Sequence, residues 1–259
     1  MKPFQVITLS FAPFFLVAAA AAQLQENQCA DYRGTFGGSD SGDHSKIGMT
    51  LFVEGRSITG TYFNKGDLGD FPLEGSYESD REITLTDLDS TRKPNGTFKL
   101  RFVESDPSRK SDRPLTSDRL IGTWVPGSGQ RSFEVFLSIT GIRPGKCAPR
   151  YAVAGASDDR VVEHNIQAFY FAVLKRQKSL VAEYVSYPAT FELAGRRRKI
   201  ANSSQFLRYY DRLFTKQFVA KIADEVPHNM FANSQGIMIA DGAVWFNEHG
   251  KAMAFNNAQ

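Results

Sequence analysis

The sequence predicts two domains of different class: an all-β, eight-stranded meander, closed as a barrel or folded as a sandwich, followed by an α+β domain with an antiparallel sheet. Three observations carry this. Up to about residue 141, apolar residues fall on every second position between turn signals, as in strands with one wet face. From about residue 158 they recur at steps of three and four, the spacing of helices with one buried face. Between them, Gly141 to Ser157 is rich in Pro, Gly and Ala and has no periodicity, which marks a boundary. The expected organisation is a leader at 1–22, the β domain at 23–141, a linker at 142–157 and the α+β domain at 158–259.

Eight runs supply the strands: YRGTF, KIGMTLFV, SITGTYF, DFPLEGSY, EITLTDLD, GTFKLRFV, RLIGTWV and RSFEVFLSIT. Turn chemistry separates them, as at Glu54-Gly55-Arg56, Asn64-Lys65-Gly66-Asp67 and Pro94-Asn95-Gly96. A meander of this length manages its edges by closing on itself or folding over. The longest connection, Glu104 to Leu120, mixes both charge signs with two prolines and reads as a surface excursion.

Ser57-Ile58-Thr59-Gly60-Thr61-Tyr62, Leu73-Glu74-Gly75-Ser76-Tyr77 and Leu120-Ile121-Gly122-Thr123-Trp124 share a glycine followed two residues later by an aromatic. The pattern resembles small secreted barrels of the avidin type and bacterial envelope barrels. That likeness implies glycines that let the wall bend and aromatics (Tyr62, Tyr77 and Trp124) that fill the interior or line a binding site.

Met1 to Ala22 joins an early Lys2 to an apolar run and a small-residue stretch suited to cleavage before Gln23, the form of a secretory signal peptide. Export gives the two cysteines, Cys29 and Cys147, reason to pair. Closing so long a loop contributes about 4–5 kcal/mol on the chain-entropy view. With the leader removed, the formal net charge of +3 falls nearer to zero and gives no reason to expect nucleic acid as a partner. No later segment is apolar enough for a membrane span.

In the second domain, Ser157 or Asp158 is placed to cap a helix with Val162, Ile166, Phe169, Tyr170 and Val173 on one face. A short helix through Leu180 to Tyr184, a strand at Thr190 to Leu193, a helix capped by Ser203 or Ser204, and another over Phe218 to Val226 follow. Three strands then close the chain at 236–240, 243–246 and 251–255, with Asp241-Gly242 a strong hairpin signal. This order resembles the nuclear transport factor 2-like (cystatin-like) superfamily. The residues carrying the likeness are Tyr187-Pro188, Tyr210-Asp211-Arg212-Leu213-Phe214, Gln235 to Ile239 and Gly242 to Phe246. It implies a cone-shaped domain. In enzymatic members a carboxylate works inside that cone, which singles out Asp211 as acid/base, with Tyr187 and His228 as companions and Tyr210 and Trp245 as binding residues.

The four histidines are scattered, without spacing that would hold a metal, and no cofactor motif is present. Arg196-Arg197-Arg198-Lys199 reads as a basic cluster on a turn, a docking point for an acidic surface. The expected function is that of an exported, secreted or periplasmic, non-enzymatic binding protein for another envelope or secreted protein. The alternatives are a small cone-fold isomerase, dehydratase or hydrolase using Asp211, and a carrier holding a small apolar ligand in the barrel.

Overall fold

The computed structural model describes residues 27–37, 44–79, 81–103, 119–129, 131–193 and 195–257. The expected leader and most of the 104–120 excursion lie outside them. The first eight strands are β1 (Gln28–Gly37), β2 (His44–Glu54), β3 (Ser57–Asn64), β4 (Asp67–Ser79), β5 (Glu82–Leu88), β6 (Pro94–Val103), β7 (Arg119–Pro126) and β8 (Phe133–Pro144). Each pairs antiparallel with the next, and β8 pairs with β1, so the meander closes as a barrel and is not a sandwich. Alternation sends Met49, Leu51, Ile83, Leu85, Phe98 and Leu100 inward, where they are buried. The residues between them, such as Glu82, Thr84 and Lys99, face the other side of the wall.

Glycine is needed where neighbouring strands crowd. A Cβ on Gly75 would stand 1.9 Å from the Thr84 carbonyl oxygen, and one on Gly60 2.0 Å from that of Thr50. These contacts are to main chain, which no rotamer change relieves, so the wall coils tightly only because these positions lack a side chain.

Cys29, at the start of β1, and Cys147, beyond the end of β8, form a disulfide with their Cα atoms 5.1 Å apart. It staples the departing chain to the barrel. The segment after it carries a 3-10 turn at Ala152–Ala154, and Tyr151 is fully buried. Within the stretch expected to be a linker, Arg150, Tyr151 and Ala156 are thus buried, while most of its other residues stay exposed.

Asp158 caps α1 (Asp159–Leu174), its side chain accepting from the Arg160 N–H. α2 (Lys178–Glu183), β9 (Val185–Leu193) and β10 (Arg196–Ile200) follow. Asn202, ahead of the expected serines, caps α3 (Ser203–Leu213), because its carboxamide oxygen reaches the Gln205 N–H at 3.0 Å. α4 (Lys216–Ala223) precedes β11 (Phe231–Asn233), β12 (Gly236–Ile239), β13 (Val244–Phe246) and β14 (Ala252–Asn257).

The strand order is β10-β9-β14-β13-β12-β11. This sheet is mixed rather than antiparallel as expected: β9 and β14 run parallel. Chain order hides that pairing, since helices α3 and α4 separate the two strands. The helices cover the sheet with Phe169, Phe206, Tyr210 and Phe214, which meet Phe246 and Phe255 in a core separate from that of the barrel. Among the described residues no helix is long and apolar enough to cross a membrane.

Replacing Gly75 by Ala forces β4 and β5 apart. We expect a loss of about 1–3 kcal/mol in a denaturant titration, and an unchanged midpoint would mean that the wall opens without strain.

Candidate functional site

The outer wall of β1 to β4 meets the α+β part along a seam of charged groups. On the barrel side stand Asp31 and Arg33 of β1, Thr50 of β2, Phe63 of β3 and Asp70 of β4. On the other side are Glu163 of α1 and the loop Val226 to Met230, with Arg150 and Tyr151 wedged between. A Cβ on Gly48 would lie 2.1 Å from the Phe63 ring, so the glycine leaves a seat for that ring on the barrel surface. The His228 ring packs edge-on against Phe63 at 4.8 Å, and the Arg33 guanidinium lies 5.5 Å from the same ring centre.

His228 is 7% exposed and faces two carboxylates. Its Nε2 lies 3.0 Å from Asp70 Oδ1 across the seam. Its Nδ1 lies 3.2 Å from Glu163 Oε2 but off the line of a good hydrogen bond, so charge attraction holds that side. Burial disfavours the imidazolium, yet the bond to Asp70 and the negative charge of Asp70 and Glu163 outweigh it and raise its pKa to about 9. Burial also pushes the Asp70 carboxyl up, but hydrogen bonding and charge from His228, with help from Asn229 and Thr61, leave it below its ordinary value.

Glu163 is saturated. It accepts from the Asn229 N–H at 2.8 Å, from Gln167 at 3.3 Å and from the buried Tyr151 hydroxyl. That hydroxyl in turn accepts from the Met230 N–H at 2.9 Å. Arg33 donates to the carbonyls of His228 and Asn229 at 2.7 and 3.0 Å. Arg150 donates to Thr50 Oγ1 at 2.6 Å and pairs with Asp31 at 3.0 Å, and the other Asp31 oxygen takes Arg143. At the rim, Lys46 pairs with Asp224 at 2.7 Å and Lys65 donates to the Ala223 carbonyl at 2.8 Å.

A cleft of about 600 Å³ opens on one flank of the seam. Asp31, Arg33 and Arg150 form its floor, while Ile142, Val153 and Phe231 bring exposed apolar surface to it. A second cleft, of about 480 Å³, lies on the other flank beside His164, Glu163 and Asp70.

The residues expected to carry chemistry are not brought together. Asp211 does not enter the interior: its side chain is 74% exposed on α3 and pairs with Lys178 at 2.6 Å. Helical phase explains this, because α3 turns Phe206, Tyr210 and Leu213 inward and Asp211 follows one step beyond. Tyr187 is half-buried, and its hydroxyl donates to the Ala182 carbonyl at 3.1 Å. Tyr210 is fully buried and stacks on Phe214 at 4.6 Å. Trp245 lies on β13 opposite Met238 and Ala254.

In the barrel, Tyr77 packs by Phe102, whereas Tyr62 and Trp124 join an aromatic cluster around Phe98. Arg196, Arg197 and Arg198 do not decorate a turn. They lie exposed on β10, the edge strand of the six-stranded sheet, paired with Leu193, Glu192 and Phe191. Among the described residues no group of three His, Cys, Asp or Glu side chains is arranged to hold a metal. Comparison of the chain with protein-family models, curated proteins and solved structures finds no match.

A raised histidine pKa adds stability that is fully present below the unfolded value of 6.5 and is lost as pH climbs through about 9. The depressed Asp70 adds stability that is present above its unfolded value of 3.8 and lost on acidification. The Asp70–His228 contact is common to both and is not counted twice; the histidine shift, to which Glu163 also contributes, corresponds to about 3 kcal/mol. We expect unfolding free energy to fall between about pH 6.5 and 9 and the decline to vanish in His228→Gln. Parallel curves for parent and variant across that range would show that the seam does not depend on the charge.

Proposed function

We propose that the chain is an exported binding protein, secreted or periplasmic, that recognises a segment of another envelope or secreted protein. In this reading Met1–Ala22 is cleaved, and the barrel and an α+β unit of the nuclear transport factor 2-like kind act as one scaffold. The observation that carries it is the cleft of about 600 Å³ at their seam. Its volume is that of a recognition site. Its charged floor is engaged in internal pairs, so what it offers a partner is shape and the apolar rim of Ile142, Val153 and Phe231. Exposed apolar side chains grouped at a concave surface mark an interaction site more often than a neutral surface.

Two further features support this reading. The Cys29–Cys147 disulfide suits an oxidising compartment. A histidine with its pKa near 9, clamped between carboxylates that serve other donors, is spent on structure and is a poor general base near neutrality.

The test is capture from the envelope or medium of the native host with the full chain as bait. Ile142→Asp together with Phe231→Asp should abolish recovery of the partner while the melting temperature stays that of the parent. Equal recovery by parent and variant, with both folded, would remove the cleft from the function.

A further inference from the structure

The barrel end formed by the termini of β1, β3, β5 and β7 holds a second set of groups that the seam does not use. Asp87 shares the inward register of Ile83 and Leu85, and its side chain is 0% exposed. Its Oδ2 accepts from the Tyr62 hydroxyl at 3.0 Å and from Asn95 Nδ2 at 2.9 Å. Its Oδ1 is buried without a partner, and among the described residues no basic side chain pairs with it. The Trp124 indole N–H is buried nearby and is likewise unpartnered. It lies over Gly96, which stands directly across the ladder from Asp87, and a Cβ on that glycine would meet the indole nitrogen at 2.6 Å.

Around these two atoms runs a chain of rings. Phe71 stacks on Tyr62 at 5.1 Å, Tyr62 meets Phe98 at 5.2 Å, and Phe98 meets Trp124 at 6.3 Å. Trp124 meets Phe36 and Phe133, both at 5.5 Å. Phe36, Phe71, Trp124 and Phe133 are only half-buried, so the aromatic collar is reachable from outside. Arg131 already lies over the Phe133 ring at 5.9 Å, a sign that the collar attracts positive charge.

A buried carboxylate oxygen without a donor is costly, and each group the barrel offers points to the same complement. The open Asp87 oxygen calls for a charged donor, the indole N–H calls for an acceptor, and π faces favour an organic cation. Burial first, and then the Asp87 charge, push the Tyr62 phenol upward, so it stays a donor to Asp87 and does not compete for the cation.

We propose that this mouth of the barrel binds a small protonated amine, its ammonium group donating to Asp87 Oδ1, an acceptor on the same molecule meeting Trp124 Nε1, and its apolar body lying against Phe36, Phe71 and Phe133. The site is separate from the cleft and does not rest on it. It also differs from an apolar-ligand carrier, because the centre of the barrel is filled with side chains and recognition falls to a charged group at one end.

The full chain carrying Trp245→Phe, so that Trp124 alone reports, should be titrated with L-phenylalaninol and with its amine-free analogue 3-phenylpropan-1-ol. We expect a saturable change in Trp124 fluorescence with the amine, at least about tenfold weaker binding of the neutral analogue, and a similar loss in Asp87→Asn, as expected for one charge-assisted hydrogen bond. Asp87→Asn should melt no lower than its parent, since it relieves a buried charge; a purely structural carboxylate would give a lower melting temperature. Phe36→Ala leaves every hydrogen bond of Asp87 in place and should also weaken the amine. No saturable response to the amine, equal affinity for the neutral analogue, or an Asp87→Asn protein that is folded and binds as tightly as its parent would each overturn the proposal. If Asp87→Asn does not fold, the amine-to-alcohol comparison on the parent and the Phe36→Ala result decide it.

Discussion

His228 stands where the barrel wall, helix α1 and the loop 226–230 converge, and little of its ring reaches solvent there. An imidazolium in such a place is tolerated only if opposite charge reaches it from close by. Asp70 comes from the barrel and Glu163 from the helix. Glu163 reaches the imidazolium from within the α+β part, but Asp70 is supplied only when the two parts dock in one orientation. Apolar surfaces alone would allow sliding, whereas directed bonds to buried charges set a register. Arg33 and Arg150 repeat the device a few residues away, each tying the barrel to the loop that bears His228 or to the segment leading into α1. The cleft beside the seam owes its shape to that registration.

The disulfide acts on the same geometry. Arg150 lies three residues beyond Cys147, and the Cys147 carbonyl accepts from Arg143, which also holds Asp31. The chain therefore leaves the barrel along a fixed path, and Arg150 arrives with little freedom left to lose. Ordering a long cationic side chain costs rotamer entropy, and a stapled backbone lowers the remaining cost.

The sequence exposed the barrel more completely than the site. Alternation with turn residues located eight strands, because inward and outward positions on a one-layer wall differ sharply in polarity. Closure was left open against a sandwich, since the β1–β8 pairing joins the two most distant strands of the meander. The helices announced themselves through stripes such as Val162, Ile166, Phe169 and Val173. The three-residue β11 and the parallel β9–β14 contact did not, being too short or too non-local for a periodic signal. The seam was invisible for a different reason. Arg33, Asp70, Arg150 and Glu163 are charged residues at positions that look solvated on each element taken alone. Only the meeting of two surfaces brings them together, and it buries Arg150. Tyr151 and Arg150 were hidden further by lying in a stretch that composition marks as a linker. Asp87 did carry a readable sign, an acid at the inward step of Glu82-Ile83-Thr84-Leu85-Thr86-Asp87, where Ile83 and Leu85 are buried.

The two buried clusters differ in a way that separates architecture from recognition. At the seam nearly every donor has an acceptor within the chain: Glu163 serves a hydroxyl, a main-chain N–H, an amide and an imidazolium at once. Such a network is close to complete: among the described residues, only His228 Nδ1 and Arg143 Nε of its buried polar atoms lack a hydrogen bond, and each belongs to a side chain already paired with a carboxylate. At the barrel mouth the Asp87 carboxyl is half satisfied, and an indole N–H beside it has no acceptor. Folding that leaves both uncompensated sacrifices stability that an asparagine at position 87, which keeps an acceptor for Tyr62 and Asn95, would recover. A sequence keeps that sacrifice where the missing partner comes from outside the chain. By this criterion the seam holds the molecule together, the cleft borrows its shape, and the barrel mouth is where the chain's own chemistry remains open.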